Sequence, residues 1–209
     1  AGKRLSPAAR RNGHPDWHPL PSQTLPVYAY LIRTDEATIL VDTGVGKASD
    51  FVDREYQPKH YSLRALLAEH GAMLADIDVV VNMHLHFDHA GRNHLFTKMP
   101  LRVQTAEREA ARAERYAIAE WVEAADVAYE TADGDFGLTP EVRLILIADH
   151  TPGYQAVFVQ GAERILIAGQ VAESAAEYAD SGSVVVQRLR QLEPDGVYFS
   201  HEASAIAPA

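Results

Sequence analysis

The chain has 209 residues, with 29 acidic side chains against 19 basic ones and a formal net charge of -10. With no long Lys/Arg block, that balance speaks against nucleic acid as the main partner, because phosphate contacts need a basic surface. A small-molecule substrate is expected instead.

Hydrophobic residues make up 47% and charged ones 23%, which suits one globular domain over residues 1–209. Zero cysteines exclude a disulfide framework, Cys-ligated metal and thiol catalysis, and they fit a reducing, cytoplasmic setting. No apolar run reaches the length of a membrane span. Lys3, Arg4, Arg10 and Arg11 have no apolar segment behind them, so no signal peptide is expected either.

Residues 1–24 are polar and rich in proline (Pro7, Pro15, Pro19, Pro21) and read as an irregular arm. His14, Trp17 and His18 belong to it, as plain loop residues or as a cap over a pocket. Two β-rich runs, 26–33 and 37–41, form a hairpin that breaks at Asp42, Thr43 and Gly44. The leucines at 63, 66 and 67 predict an amphipathic helix over 62–73, stopped near Gly71. A short buried strand follows at 78–82 and another at 101–104. The Ala/Glu/Arg-rich stretch 105–128 predicts the longest helix of the chain, its alanines marking a packing or homodimer surface. Strands return at 142–148, 155–160 and 164–168, then a helix at 183–192 and a last strand at 196–200. Helices and strands interleave, but hairpins occur at both ends, so mixed sheets are expected. His60, His70 and His94 read as surface residues.

The chemistry concentrates just after the strand at 78–82, in the run His84, His86, Asp88, His89. Alternation along an extended chain puts His84 and His86 on one side, where two imidazoles can share a metal. Asp88 and His89 come where the backbone must turn, and can serve a second, adjacent ion. Three imidazoles and a carboxylate within six residues are a ligand set for zinc or a similar borderline metal. Such a pattern seldom arises by chance.

With this HxHxDH run, the chain resembles a metallo-β-lactamase-fold hydrolase, and most of all the N-acyl-homoserine-lactonase branch. The resemblance is carried by 25–31, 39–44, 84–93, 150–153 and 198–201, in matching order. It implies an α+β, four-layer αββα sandwich with mixed β-sheets and helices on the outer faces. It implies that His84, His86 and His150 hold a first Zn2+ ion and that Asp88, His89 and His201 hold a second. Asp42 would orient a ligand imidazole through its free ring nitrogen; the plain alternative is an Asp that shapes the turn before Gly44. Water ionised at the metal would attack the carbonyl of a lactone or ester, and Asp88 would orient it and pass a proton to the leaving oxygen.

Two positions depart from the branch. Gln170 stands where the family has an Asp that bridges the two metals. A neutral carbonyl oxygen cannot offset repulsion between cations as a carboxylate does. That change leaves three outcomes open: two ions, one ion, or a metal-binding relic without turnover; within the same fold, a hydrolase for another ester, a β-lactam or a phosphodiester is the alternative to a lactonase. Glu173 stands where lactonases carry a Tyr that assists at the substrate carbonyl; Tyr154 and Tyr178 are the candidate substitutes.

Overall fold

The computed structural model describes residues 24–113 and 116–203. Its framework is two five-stranded sheets. The first is built from β1 (Tyr30–Arg33), β2 (Thr38–Val41), β3 (Val79–Val81), β4 (Pro100–Gln104) and β5 (Ala128–Ala132), in that order. β1 and β2 are an antiparallel hairpin, and every later neighbour is parallel. The second comprises β6 (Phe136–Gly137), β7 (Val142–Leu146), β8 (Gln155–Gln160), β9 (Arg164–Gly169) and β10 (Gly196–Phe199). Here β6 to β9 run antiparallel, and β10 joins β9 in parallel.

Successive residues of a strand face opposite ways, and the buried residues of the first sheet follow that rule. Ile39, Val41, Val81 and Met83 share a buried cluster with Val142, Leu144, Leu166 and Ile167 of the second sheet. Leu40, Val80 and Leu101, one step out of phase, pack with Leu63 and Leu67. The first sheet is thus buried on both faces, one against its partner sheet and one against a helix.

Helices α1 (Asp50–Tyr56) and α2 (Leu63–Glu69) follow β2; α3 (Thr105–Ala110) and α4 (Ala119–Val122) follow β4; α5 (Ala175–Asp180) and α6 (Val184–Arg190) follow β9. Tyr178 of α5 and Val186 and Leu189 of α6 enter the cluster of the second sheet. Ser49, Ser62, Ser174 and Ser183 cap α1, α2, α5 and α6, each side chain accepting a backbone N–H of the first turn. This is the α+β, four-layer arrangement with mixed sheets.

The single long helix expected over 105–128 does not form. Helical structure stops at Ala110 and resumes for one turn at Ala119. High helix propensity is overridden by burial: Tyr116 and Val122 pack with Leu85 and Val103, whereas Trp121 packs with Val45 and Phe87. The chain turns between the two helices, and the residues on either side of the turn reach different clusters. The alanines of this stretch are thus divided between two short helices and the residues around them. Residues 1–23, with His14, Trp17 and His18, lie outside the described residues. Among the described residues no helix is long and apolar enough to cross a membrane.

Candidate metal centre

The chemistry-bearing residues sit where strands end. Asp42 follows β2, His84 to His89 follow β3, His150 follows β7, Gln170 follows β9 and His201 follows β10. Asp42 adopts a left-handed backbone, φ 61°, a conformation that costs a non-glycine residue about 1–2 kcal/mol. Two hydrogen bonds hold it: its N–H donates to Val81 O at 2.7 Å, and its Oδ1 accepts from Met83 N at 2.9 Å. The loop behind the histidines is pinned by a buried amide network. Asn93 Nδ2 donates to Asn82 Oδ1 at 2.9 Å, and the Thr43 hydroxyl donates to Asn93 Oδ1 at 3.0 Å.

On this frame His84, His86 and His150 bring one ligand atom each to within 4.8 Å of one another, all three buried. His84 Nε2 and His86 Nδ1 are 3.0 Å apart, and the His150 ring lies 4.7 Å and 5.3 Å from theirs. His84, Asp88 and His89 form a second such group. His201 joins it from the far end of the chain, with Nε2 3.3 Å from Asp88 Oδ2. Its Nδ1 donates to Pro26 O at 2.8 Å, which leaves Nε2 as the nitrogen that faces the carboxylate. His89 is fixed the same way, Nδ1 bonding Asp42 Oδ2 at 2.6 Å. A carboxylate behind an imidazole sets its tautomer and turns the opposite nitrogen outward as a ligand.

Electrostatics follow from this packing. Burial, then the neighbouring imidazoles His89, His86 and His150, push His84 well below the ordinary histidine range. Burial works against a charged Asp88, but His89, His201 and His86 outweigh it and hold the carboxyl below its usual range. Burial also opposes a charged His89, yet Asp42 and Asp88 beside it raise its pKa to about 9.

The site fits a divalent cation. Neutral imidazole nitrogen with one carboxylate oxygen is a zinc-type donor set. Moreover His84 Nδ1 is buried with no hydrogen-bond partner among the described residues. Buried polar atoms without partners are rare unless a ligand supplies one. Gln170 lies beside His89, so the structure brings its neutral oxygen to the second group in place of a carboxylate.

Both tyrosines are buried. Tyr154 is fully buried; its hydroxyl donates to Ala168 O at 2.7 Å and accepts from Gln170 N at 2.6 Å. A side chain on Gly169, at φ 62°, would place its Cβ 2.1 Å from that hydroxyl, so the turn carrying Gln170 is moulded around Tyr154. Tyr178 is in the core, its ring 5.7 Å from Phe199 and beneath the Arg190 guanidinium. Glu173 is half-buried ahead of α5, its N–H bonded to Glu177. His70 and His94 are exposed; His60 is partly buried beside Asp53. Glu107, buried directly behind the histidine loops, has no motif of its own in the sequence.

The Metallo-beta-lactamase superfamily matches residues 23–201, and the chain belongs to that family. An N-acyl homoserine lactonase of Bacillus sp is 34% identical over 148 residues, covering 65% of this chain and 59% of the relative. The chain therefore spans about three-fifths of the length of the curated relatives it matches. Among solved structures, a mutant of AiiA from B. thuringiensis with N-decanoyl-L-homoserine bound at the active site superposes with a TM-score of 0.76 at 26% identity, covering 87% of this chain and 83% of the other. An N-acyl homoserine lactone hydrolase with the product N-hexanoyl-L-homoserine bound at its catalytic metal center gives a TM-score of 0.75 at 26% identity, with the same two coverages.

Proposed function

We propose that this chain is a metal-dependent hydrolase that opens the ring of N-acyl homoserine lactones, a quorum-quenching activity, with zinc as the ion. The observation that carries the reading is the convergence of His84, His86 and His150, with Asp88, His89 and His201 alongside. The substrate class is supported by the lactonase relatives and by the product-bound neighbour. A divalent cation bound here supplies an acidified water near neutral pH and polarises a carbonyl oxygen.

The chain's own residues do the rest. Asp88, kept ionised, holds an attacking water through Oδ2 and takes its proton as the water oxygen bonds to the lactone carbonyl carbon. The ring C–O bond then breaks, and the same oxygen returns the proton to the departing alkoxide, giving the open hydroxy acid. Asp42 keeps His89 in the ligating tautomer throughout. Catalysis by a serine nucleophile is not part of this reading, since no Gly-x-Ser-x-Gly run occurs.

Gln170 and Glu173 favour a second reading: a metal-binding protein without lactone turnover, or a hydrolase for another ester, a β-lactam or a phosphodiester. Elemental analysis of the purified chain, followed by assay of the zinc-loaded protein on lactones and aryl esters, separates them. Lactone opening that is lost in His84→Ala supports the first reading. A fully loaded protein inert towards lactones overturns it.

A further inference from the structure

The loops that carry His84, His86 and His150 come from different sheets, and one buried carboxylate joins them. Glu107 lies on α3 with no exposed surface. Its Oε1 accepts from Leu85 N at 2.8 Å and from the Tyr116 hydroxyl at 2.5 Å. Its Oε2 accepts from the Thr151 hydroxyl at 2.6 Å, and the Gly153 N–H is a further donor to the carboxylate. Leu85 stands between His84 and His86, and Thr151 follows His150. The contact is close enough to dictate a residue type: a Cβ on Gly153 would lie 2.3 Å from Glu107 N and 2.4 Å from its Cβ. The turn that presents His150 is thus seated on α3. Tyr116, held by the same carboxylate, lays its ring 4.7 Å from that of His86.

We propose that Glu107 is a positioning residue for the three-histidine group, locking the His84/His86 loop to the His150 turn so that the three imidazoles already converge before an ion arrives. An ionised carboxylate only accepts, with about four lone-pair sites, which matches four donors; a glutamine in its place turns an NH2 group towards some of them, and while a hydroxyl can turn to accept it, a backbone N–H such as that of Leu85 cannot. The donors left unpaired must rearrange, and the loops they belong to are those that aim the imidazoles. Partners of this kind, one layer behind metal ligands, typically carry about 10–100-fold in metal affinity.

This inference rests on the metal reading above, and the test separates the two. Metal-free wild type and Glu107→Gln are titrated with Zn2+ against a chromophoric chelator, and with Co2+ while the visible spectrum is recorded. The expected variant keeps the wild-type far-UV circular dichroism, binds its first ion about 10–100-fold more weakly and shows altered cobalt bands, because the rings have turned. A folded variant with unchanged first-ion affinity and superimposable cobalt bands overturns the proposal while leaving the metal reading intact. If Glu107→Gln does not fold, Tyr116→Phe and Thr151→Val each remove one donor and keep the carboxylate; each is expected to weaken the first ion about fivefold, one hydrogen bond's contribution. Unchanged affinity in both overturns it equally. Wild type that takes up neither ion overturns the metal reading and this inference with it.

Discussion

Replacing Gln170 by Asp isolates the charge of the second group. As it stands, five imidazoles and a single carboxylate, Asp88, would share up to two dications. His89 Nε2 and Asp88 Oδ2 are 3.9 Å apart, which sets the length scale. At about 4 Å and an effective dielectric near 20, a unit charge pair is worth about 4 kcal/mol, hence about 8 for a carboxylate facing a dication. Desolvating the new carboxylate beside His89 takes back several kcal/mol, so a net gain of about 2–4 kcal/mol remains. Since 1.4 kcal/mol is tenfold, the second ion should bind about 30-fold to 1000-fold tighter in Gln170→Asp, with the first ion little changed. Calorimetric titration of the metal-free proteins, with ions per chain counted by elemental analysis, measures this. Wild type that binds two ions with equal affinity, together with a variant showing no gain, would refute the argument that charge at residue 170 limits loading.

Further outcomes follow from the same geometry. Asp42→Asn turns an amide towards His89 Nδ1 and moves the ring proton to Nε2; second-ion affinity should fall about 10–100-fold in metal titration, while first-ion affinity holds. Adding zinc at about 1000 times its dissociation constant should stabilise the metal-free chain by about 4 kcal/mol, raising Tm by about 8–16 °C at this chain length in a thermal melt; an unchanged Tm would mean no ion binds the folded chain. The metal-free protein should be most stable near pH 6.5. His89, lifted to about 9, contributes stability that is complete below the unfolded histidine pKa and fades as pH rises through 9. His84, depressed by burial, stays neutral while its unfolded counterpart protonates, so stability also falls as pH drops below that value. Melting curves of chelated protein that improve steadily from pH 7 to 10 would contradict this. Tyr154→Phe leaves Gln170 N and Ala168 O without their partner and should cost about 1–3 kcal/mol in urea unfolding.

What could be read from the sequence depended on how far apart the cooperating residues lie. His84 to His89 announce themselves because the ligand types stand within six positions, and the short apolar, β-branched runs at 39–41 and 144–147 place strands for the same local reason. Glu107 gives no such signal: Leu85 is 22 residues from it and Thr151 is 44, and a glutamate in an Ala/Arg-rich stretch looks solvated. That stretch also misleads as a helix, because local propensity cannot register the opposing clusters that claim Tyr116 and Trp121. Helix α1 is weakly marked for a different reason. It buries only Val52 and Tyr56 and carries no leucine stripe like that of 63–67, although the Ser49 cap and the acidic first turn, Asp50 and Asp53, are both present. The edge strand β5, Ala128–Ala132, has few β-branched residues and is placed by its parallel register with β4.

The bond between His201 and Pro26 joins positions 175 apart in the chain. A polypeptide leaving the ribosome therefore cannot finish this centre until almost the last described residue has emerged and the opening hairpin has waited for it. Contacts of such range form late, after the entropy of closing the loop has been overcome. A chain truncated before residue 201 would keep His84, Asp88 and His89 but lack the last imidazole of that second group.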